Sequence, residues 1–198
     1  ASGNGLTTVL TGGGTVQPGQ KFTVKYGVNG LDWNTYAQDI RISYDNTAME
    51  FVSAKSVQSG VKLVRTVKQP VGQLRLVLAS EGADNGVTGD TEFVELTFKA
   101  KSTATSAMGA ISVVGSTMAD AQGNETEAAP SSMNVTVVNP GDLNMNGAVT
   151  VGDLAIASTY FGTTSVNEDW AQARLADMNA DGTIDFLDLL EISKKVAP

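Results

Sequence analysis

Apolar and polar positions alternate with period two through most of the first 139 residues. "KFTVKYGV" sets Phe22, Val24, Tyr26 and Val28 on one face, and "DIRISY" does the same with Ile40, Ile42 and Tyr44. "QLRLVL" repeats the pattern with Leu74, Leu76 and Leu78, and "FVELTF" with Val94, Leu96 and Phe98. Strict alternation over such lengths predicts half-buried β-strands, because successive side chains of a strand point to opposite sides. With "LTTVL", "MEFVSA", "VKLVRTV", "AISVVGS" and "SMNVTVV" about nine strands are expected, separated by turn-rich stretches such as "TGGGTVQPGQ" and "SEGADNGVTGD". Closely spaced strands with no helical crossover between them predict a mainly β, two-sheet antiparallel sandwich.

The rhythm changes after "VVNPGD". "VGDLAIASTYFG", ending at Gly162, and "FLDLLEISKKV" carry helical spacing. Between them "SVNEDWAQARLA" opens with Ser165 and Glu168 in capping-box spacing, which predicts a connecting helix. The domain boundary is expected at Asn139 to Gly141, giving a β-sandwich over 1–139 and a small helical domain over 140–198. Charge divides at the same place. The whole chain of 198 residues carries a formal −8, and residues 140–198 hold nine acids against three bases.

Those acids are spaced with purpose. "DMNADGTIDFLD", Asp177 to Asp188, crowds carboxylates that repel one another unless a cation sits among them. "DLNMNGAVTVGD", Asp142 to Asp153, matches it position by position 35 residues earlier. Both follow the EF-hand calcium pattern: oxygen ligands at loop positions 1, 3 and 5, a backbone carbonyl at 7, a direct or water-mediated ligand at 9 and a carboxylate at 12, with glycine at 6. The ligand set of loop one is Asp142, Asn144, Asn146, the Ala148 carbonyl, Thr150 and Asp153, around Gly147. Loop two offers Asp177, Asn179, Asp181, the Thr183 carbonyl, Asp185 and Asp188, around Gly182. Two Ca2+ ions are therefore expected. The loops depart from the EF-hand in having Asp at position 12. Pro140 and Gly141 also stand before loop one, where an entering helix would be, so only the exiting helices remain.

Composition removes other chemistries. The chain has no cysteine and no histidine, which excludes thiolate and imidazole metal sites and histidine-dependent triads. The negative charge disfavours nucleic acid and anionic membranes as partners. No apolar run reaches the eighteen or so residues of a membrane span, and the start "ASGNGLTTVL" lacks the features of a leader, so a soluble mature fragment is expected. Acid pairs such as Glu125 with Glu127, or Asp84 with Asp90, lie in or beside turn sequence and read as solvated rather than catalytic.

Two resemblances follow from these segments. "VQPGQKFTVKYGVNG", "AQDIRISYDNTAMEFVSA", "GQLRLVLASEG" and "TEFVELTFKAK", in that order, resemble the cohesin module, which implies a nine-stranded antiparallel jelly-roll sandwich. The paired loop-plus-helix units resemble a type I dockerin, the calcium-dependent partner of cohesins, which implies a small all-α domain with two EF-hand-like loop–helix units. Together they resemble the carboxy-terminal tail of large secreted bacterial glycoside hydrolases or polysaccharide lyases.

The resemblance implies a non-catalytic, extracellular assembly module. Its partners would be cohesin or dockerin modules of other chains or of a second copy, beside a parent catalytic domain. In dockerins loop positions 10 and 11 recognise the cohesin; these are Val151 and Gly152 in loop one but Phe186 and Leu187 in loop two, so the two faces are not interchangeable. Trp33 and Tyr36, in "LDWNTYAQ", give the alternative of a carbohydrate-binding module with an aromatic platform for polysaccharide, or else brace a loop. Trp170 is expected to pack the small helical domain. A free-standing enzyme is the weakest reading, since no nucleophile and base pair emerges.

Overall fold

The computed structural model describes residues 5–101 and 107–196, so the opening "ASGN" lies outside the described residues. The chain divides into two compact units, one formed by residues 5–101 with 108–136 and the other by residue 107 with 137–196.

The first unit is a sandwich of a four-stranded and a seven-stranded sheet. Its strands are β1 (Thr7–Gly12), β2 (Gly14–Val16), β3 (Lys21–Asn29), β4 (Ala37–Tyr44), β5 (Met49–Ser56), β6 (Val61–Val67), β7 (Gln73–Ser80), β8 (Thr91–Ala100), β9 (Ala107–Ala119), β10 (Glu125–Glu127) and β11 (Ser131–Val137). One sheet has the order β1-β3-β8-β5, the other β2-β11-β9-β4-β7-β6, with β10 added to β9. The alternating faces meet in the middle. Val24, Tyr26, Ile40, Leu76, Leu78, Val94, Leu96 and Phe98 are all fully buried. Each such side chain contributes about 1.5–3 kcal/mol by leaving water. Phe98 is a centre of this core, with the rings of Phe22, Tyr44 and Phe51 at 5.8, 5.3 and 5.8 Å.

Eleven strands stand among the described residues where nine were expected. One of the extra strands arises at "TGGGT": β1 belongs to the smaller sheet and β2 to the larger, and the chain crosses between them at Gly12 to Gly14. All three glycines have positive φ, and a Cβ at Gly12 would stand 2.5 Å from the Thr23 carbonyl oxygen. The stretch is a crossing that only glycine permits, not a free turn. The other is β10, the return arm of a hairpin whose turn is tied by Asp120, which accepts from the Gln122 and Asn124 N–H groups.

The second unit holds α1 (Val151–Thr159), α2 (Trp170–Ala173) and α3 (Phe186–Lys195). The connecting helix is shorter than expected, four residues followed by a 3-10 turn over Arg174–Ala176. The Ser165/Glu168 capping box does not form, because helix α2 starts later. Thr164 instead donates its N–H and hydroxyl to Asn167 Oδ1, holding that segment as a turn. Ala157, Ala173, Ala176, Ile184 and Ile192 make the small buried core, with Trp170, Leu154, Leu189 and Tyr160 packed on it.

Candidate calcium loops and docking surface

The two acidic loops are built alike, with matching hydrogen bonds at positions 1, 3 and 5. Asp142 accepts from the N–H groups of Asn146 and Gly147 at 3.1 and 3.0 Å; Asp177 accepts from Asp181 and Gly182 at 3.2 and 2.9 Å. Asn144 accepts from the Asn146 N–H and Asn179 from that of Asp181. Asn146 accepts from Ala148 and Asp181 from Thr183. Met145 and Ala180 sit at φ 57° and 60°, with Gly147 and Gly182 two residues on at 94° and 82°. This left-handed pairing bends each loop so that the side chains of positions 1, 3 and 5 face inward.

Position 12 closes each loop and opens each helix. Asp153 accepts from Leu143, Asn144 and Thr150 N–H groups, and Asp188 from Met178 and Asp185. Thr150 and Asp185 in turn accept from Gly152 and Leu187, so both helices begin in capping boxes. The sequence signal for these was present, Thr-x-x-Asp and Asp-x-x-Asp before an apolar run, but the calcium pattern masked it. An Asp at position 12, one methylene shorter than the usual Glu, serves both roles.

Asp142, Asp153 and Asp188 are fully buried. Asp153 and Asp188 accept only from backbone N–H groups and the Thr150 hydroxyl, with no cation of the chain paired to either among the described residues. Burial pushes the Asp153 carboxyl up, but the N–H groups of Thr150, Asn144 and Leu143 and the Thr150 hydroxyl outweigh it and hold it below the usual carboxylate range. Among the described residues no three carboxylates draw together closely enough to hold an ion by themselves. An ion here has to be completed by amide and carbonyl oxygens. The Ala148 and Thr183 carbonyls accept none of the described hydrogen bonds, so they remain available. A set of hard oxygen donors, without nitrogen or sulfur, fits calcium.

The remaining singled-out residues fall into two groups. Val151, Phe186 and Leu187 are 71, 66 and 53% exposed, and Gly152 is exposed beside them. Val151 and Phe186 border an apolar groove of about 490 Å³ between α1 and α3, floored by Leu154, Leu189 and Leu190. Trp33 and Tyr36, by contrast, are half-buried in the sandwich. The Tyr36 hydroxyl donates to the Ala83 carbonyl at 2.9 Å, and its ring lies against Gly86, where a Cβ would come within 2.6 Å of it. Tyr36 braces the loop that carries it.

Two family models match the chain: the cohesin domain over residues 7–138 and the dockerin type I domain over residues 140–197. The chain belongs to the cohesin family, with a type I dockerin following the cohesin domain. Solved structures agree for the sandwich. The cohesin module of a family 33 glycoside hydrolase from Clostridium perfringens matches at 20% identity and TM-score 0.62, over 68% of this chain and 97% of its own. CaCohA2 from Clostridium acetobutylicum in solution matches at 18% identity and TM-score 0.56, over 67% of this chain and 91% of its own. A crystallised complex containing CaCohA2 matches at 20% and 0.58, over 67% of this chain and 100% of that chain. At such identities these likenesses speak for the fold alone. No curated protein matches the chain. Cohesin and dockerin modules are non-catalytic and pair with one another, and type I dockerin domains bind calcium. No helix among the described residues is long and apolar enough to cross a membrane.

Proposed function

We propose that this chain is an assembly module of a secreted, extracellular polysaccharide-degrading enzyme, with its domains at 1–139 and 140–198. The dockerin holds two Ca2+ ions, one on Asp142, Asn144, Asn146, Ala148, Thr150 and Asp153, the other on Asp177, Asn179, Asp181, Thr183, Asp185 and Asp188. It presents the apolar face around Phe186 and Leu187 to a cohesin of another chain or of a second copy. The cohesin domain is left to accept a dockerin in turn, and catalysis belongs to a parent domain.

The observation that carries this reading is the exposure of Phe186 and Leu187 directly before the fully buried Asp188. One helical turn thus joins a metal-facing carboxylate to two large apolar side chains in water, and such a pair, with Phe186 at the border of the apolar groove, suits a binding hot spot. Arg41, Arg65 and Arg75 border a groove of about 540 Å³ on the sandwich, a suitable charge for an acidic partner. The test is the double variant Phe186→Ala/Leu187→Ala, measured against a cohesin and against the unaltered chain. Association should be lost while calcium binding and melting temperature stay nearly unchanged. Early unfolding with loss of calcium affinity would place these residues in the core and the recognition surface elsewhere.

A further inference from the structure

Four Asn-Gly pairs occur in the chain; Asn4 of Asn4–Gly5 lies outside the described residues, and the other three are Asn29–Gly30, Asn85–Gly86 and Asn146–Gly147. An asparagine before glycine is chemically fragile, because glycine's bare backbone lets its nitrogen approach the asparagine side chain. The glycine nitrogen attacks Cγ and loses its proton to water, the Cγ–Nδ2 bond breaks, and ammonia leaves with that proton balance restored from solvent. Water then opens the resulting succinimide at either carbonyl, giving aspartate or isoaspartate. No oxidant or enzyme is needed.

In two of the three described pairs the attacking nitrogen is already held by a carboxylate. Gly147 donates its N–H to Asp142 Oδ2 at 3.0 Å, and Gly30 donates to Asp90 Oδ1 at 2.8 Å. At Asn146 the other reactant is held as well, with Oδ1 accepting from the Ala148 N–H at 3.0 Å. Gly86 is different: among the described residues its nitrogen is held by no carboxylate, although Asn85 Nδ2 donates to the Glu81 carbonyl at 2.9 Å. Exposure runs the opposite way, since Asn29 and Asn146 are exposed and Asn85 half-buried.

We infer that Asn146 is a deamidation site under structural control: Asp142 withholds the Gly147 nitrogen from the Asn146 side chain while loop one is folded and releases it when the loop opens. A hydrogen bond to a carboxylate both points the N–H away from Cγ and opposes loss of its proton. The inference goes beyond the assembly reading and does not depend on it, because these bonds stand whatever partner is bound. The products are consequential. Aspartate at 146 gives loop one the residue that loop two carries at Asp181, whereas isoaspartate adds a methylene to the backbone of a loop whose bonds depend on spacing.

The experiment ages the full chain in mildly alkaline buffer, folded with calcium present and unfolded in urea, and maps these three sites by peptide mass spectrometry. In the folded chain Asn85 should accumulate product before Asn29 and Asn146, against the order of exposure. In urea Asn146 and Asn29 should accelerate by at least about tenfold, the worth of one hydrogen bond to a charged acceptor. In folded Asp90→Ala, Asn29 should accelerate while Asn146 does not. Conversion of Asn146 as fast or faster in the folded chain than in urea overturns the inference, since Asp142 would then be idle or acting as a base. An Asp90→Ala chain whose Asn29 stays slow overturns it too.

Discussion

Met178 donates its backbone N–H to Asp188 at 2.7 Å, across a loop of ten residues. The same carboxylate takes the Asp185 N–H on its other oxygen at 2.8 Å. One side chain thus latches the entrance of loop two to its exit and caps α3. Asp188→Ala should unlatch both. Loss of a cap alone costs about 0.5–2 kcal/mol, so the dockerin should melt measurably earlier and loop two should lose its ion. Calorimetric titration should then record one calcium ion where the unaltered chain is expected to take two. A variant that keeps both ions and its melting temperature contradicts the role given to Asp188.

The two ions should not bind equally. Loop two contains four carboxylates (Asp177, Asp181, Asp185, Asp188) and loop one only Asp142 and Asp153, and ligand charge raises affinity for a divalent cation. Calorimetry should resolve two steps, loop two filling first, and Asp181→Asn should weaken the tighter one. Equal affinities, or tighter binding in that variant, speak against it.

Calcium removal should separate the two units. The dockerin rests on five fully buried apolar residues, three of them alanine, and on buried carboxylates with the same sign of charge. Metal binding should therefore supply much of its folding free energy. In excess chelator the helical circular dichroism signal should fall and the strand signal persist. Helix content that is indifferent to chelator sinks the prediction.

The sandwich has its own pH dependence at Tyr26. Its buried hydroxyl hydrogen-bonds with Ser116 at 2.7 Å and donates to Gln38 at 3.3 Å. Burial pushes the phenol well above its ordinary value, and the Ser116 hydrogen bond only partly offsets that. An unfolded tyrosine ionises near about pH 10, while the folded one keeps its proton. Stability from this group is therefore complete below about pH 10 and is lost as pH rises further. Tyr26→Phe should lower sandwich stability near neutral pH by about 1–3 kcal/mol, because Ser116 and Gln38 lose a buried partner. It should also flatten the alkaline decline in urea melts; parallel curves for the two proteins refute the assignment.

Local pattern determined much of this molecule. Period two placed Phe22, Val24, Tyr26 and Val28 inward because a strand's facing is set by the pleat, within a few residues. The twin acidic loops were legible for a similar reason: their Asp and Asn side chains, glycines and bends all lie within twelve residues, and the 35-residue repeat doubled the signal. The families follow from those two patterns. Other features were set by partners far along the chain. The crossing at Gly12 to Gly14 depends on the Thr23 carbonyl, and the buried Tyr26 hydroxyl on Ser116, ninety positions away. The Tyr36 contacts with Ala83 and Gly86 likewise join positions some fifty residues apart. Ser165 and Glu168 had the spacing of a cap, but this segment pairs back onto loop two, with the Ser165 N–H bound to the Gly182 carbonyl. Spacing along the chain decides which way a side chain faces; only the assembled tertiary structure decides what it meets there.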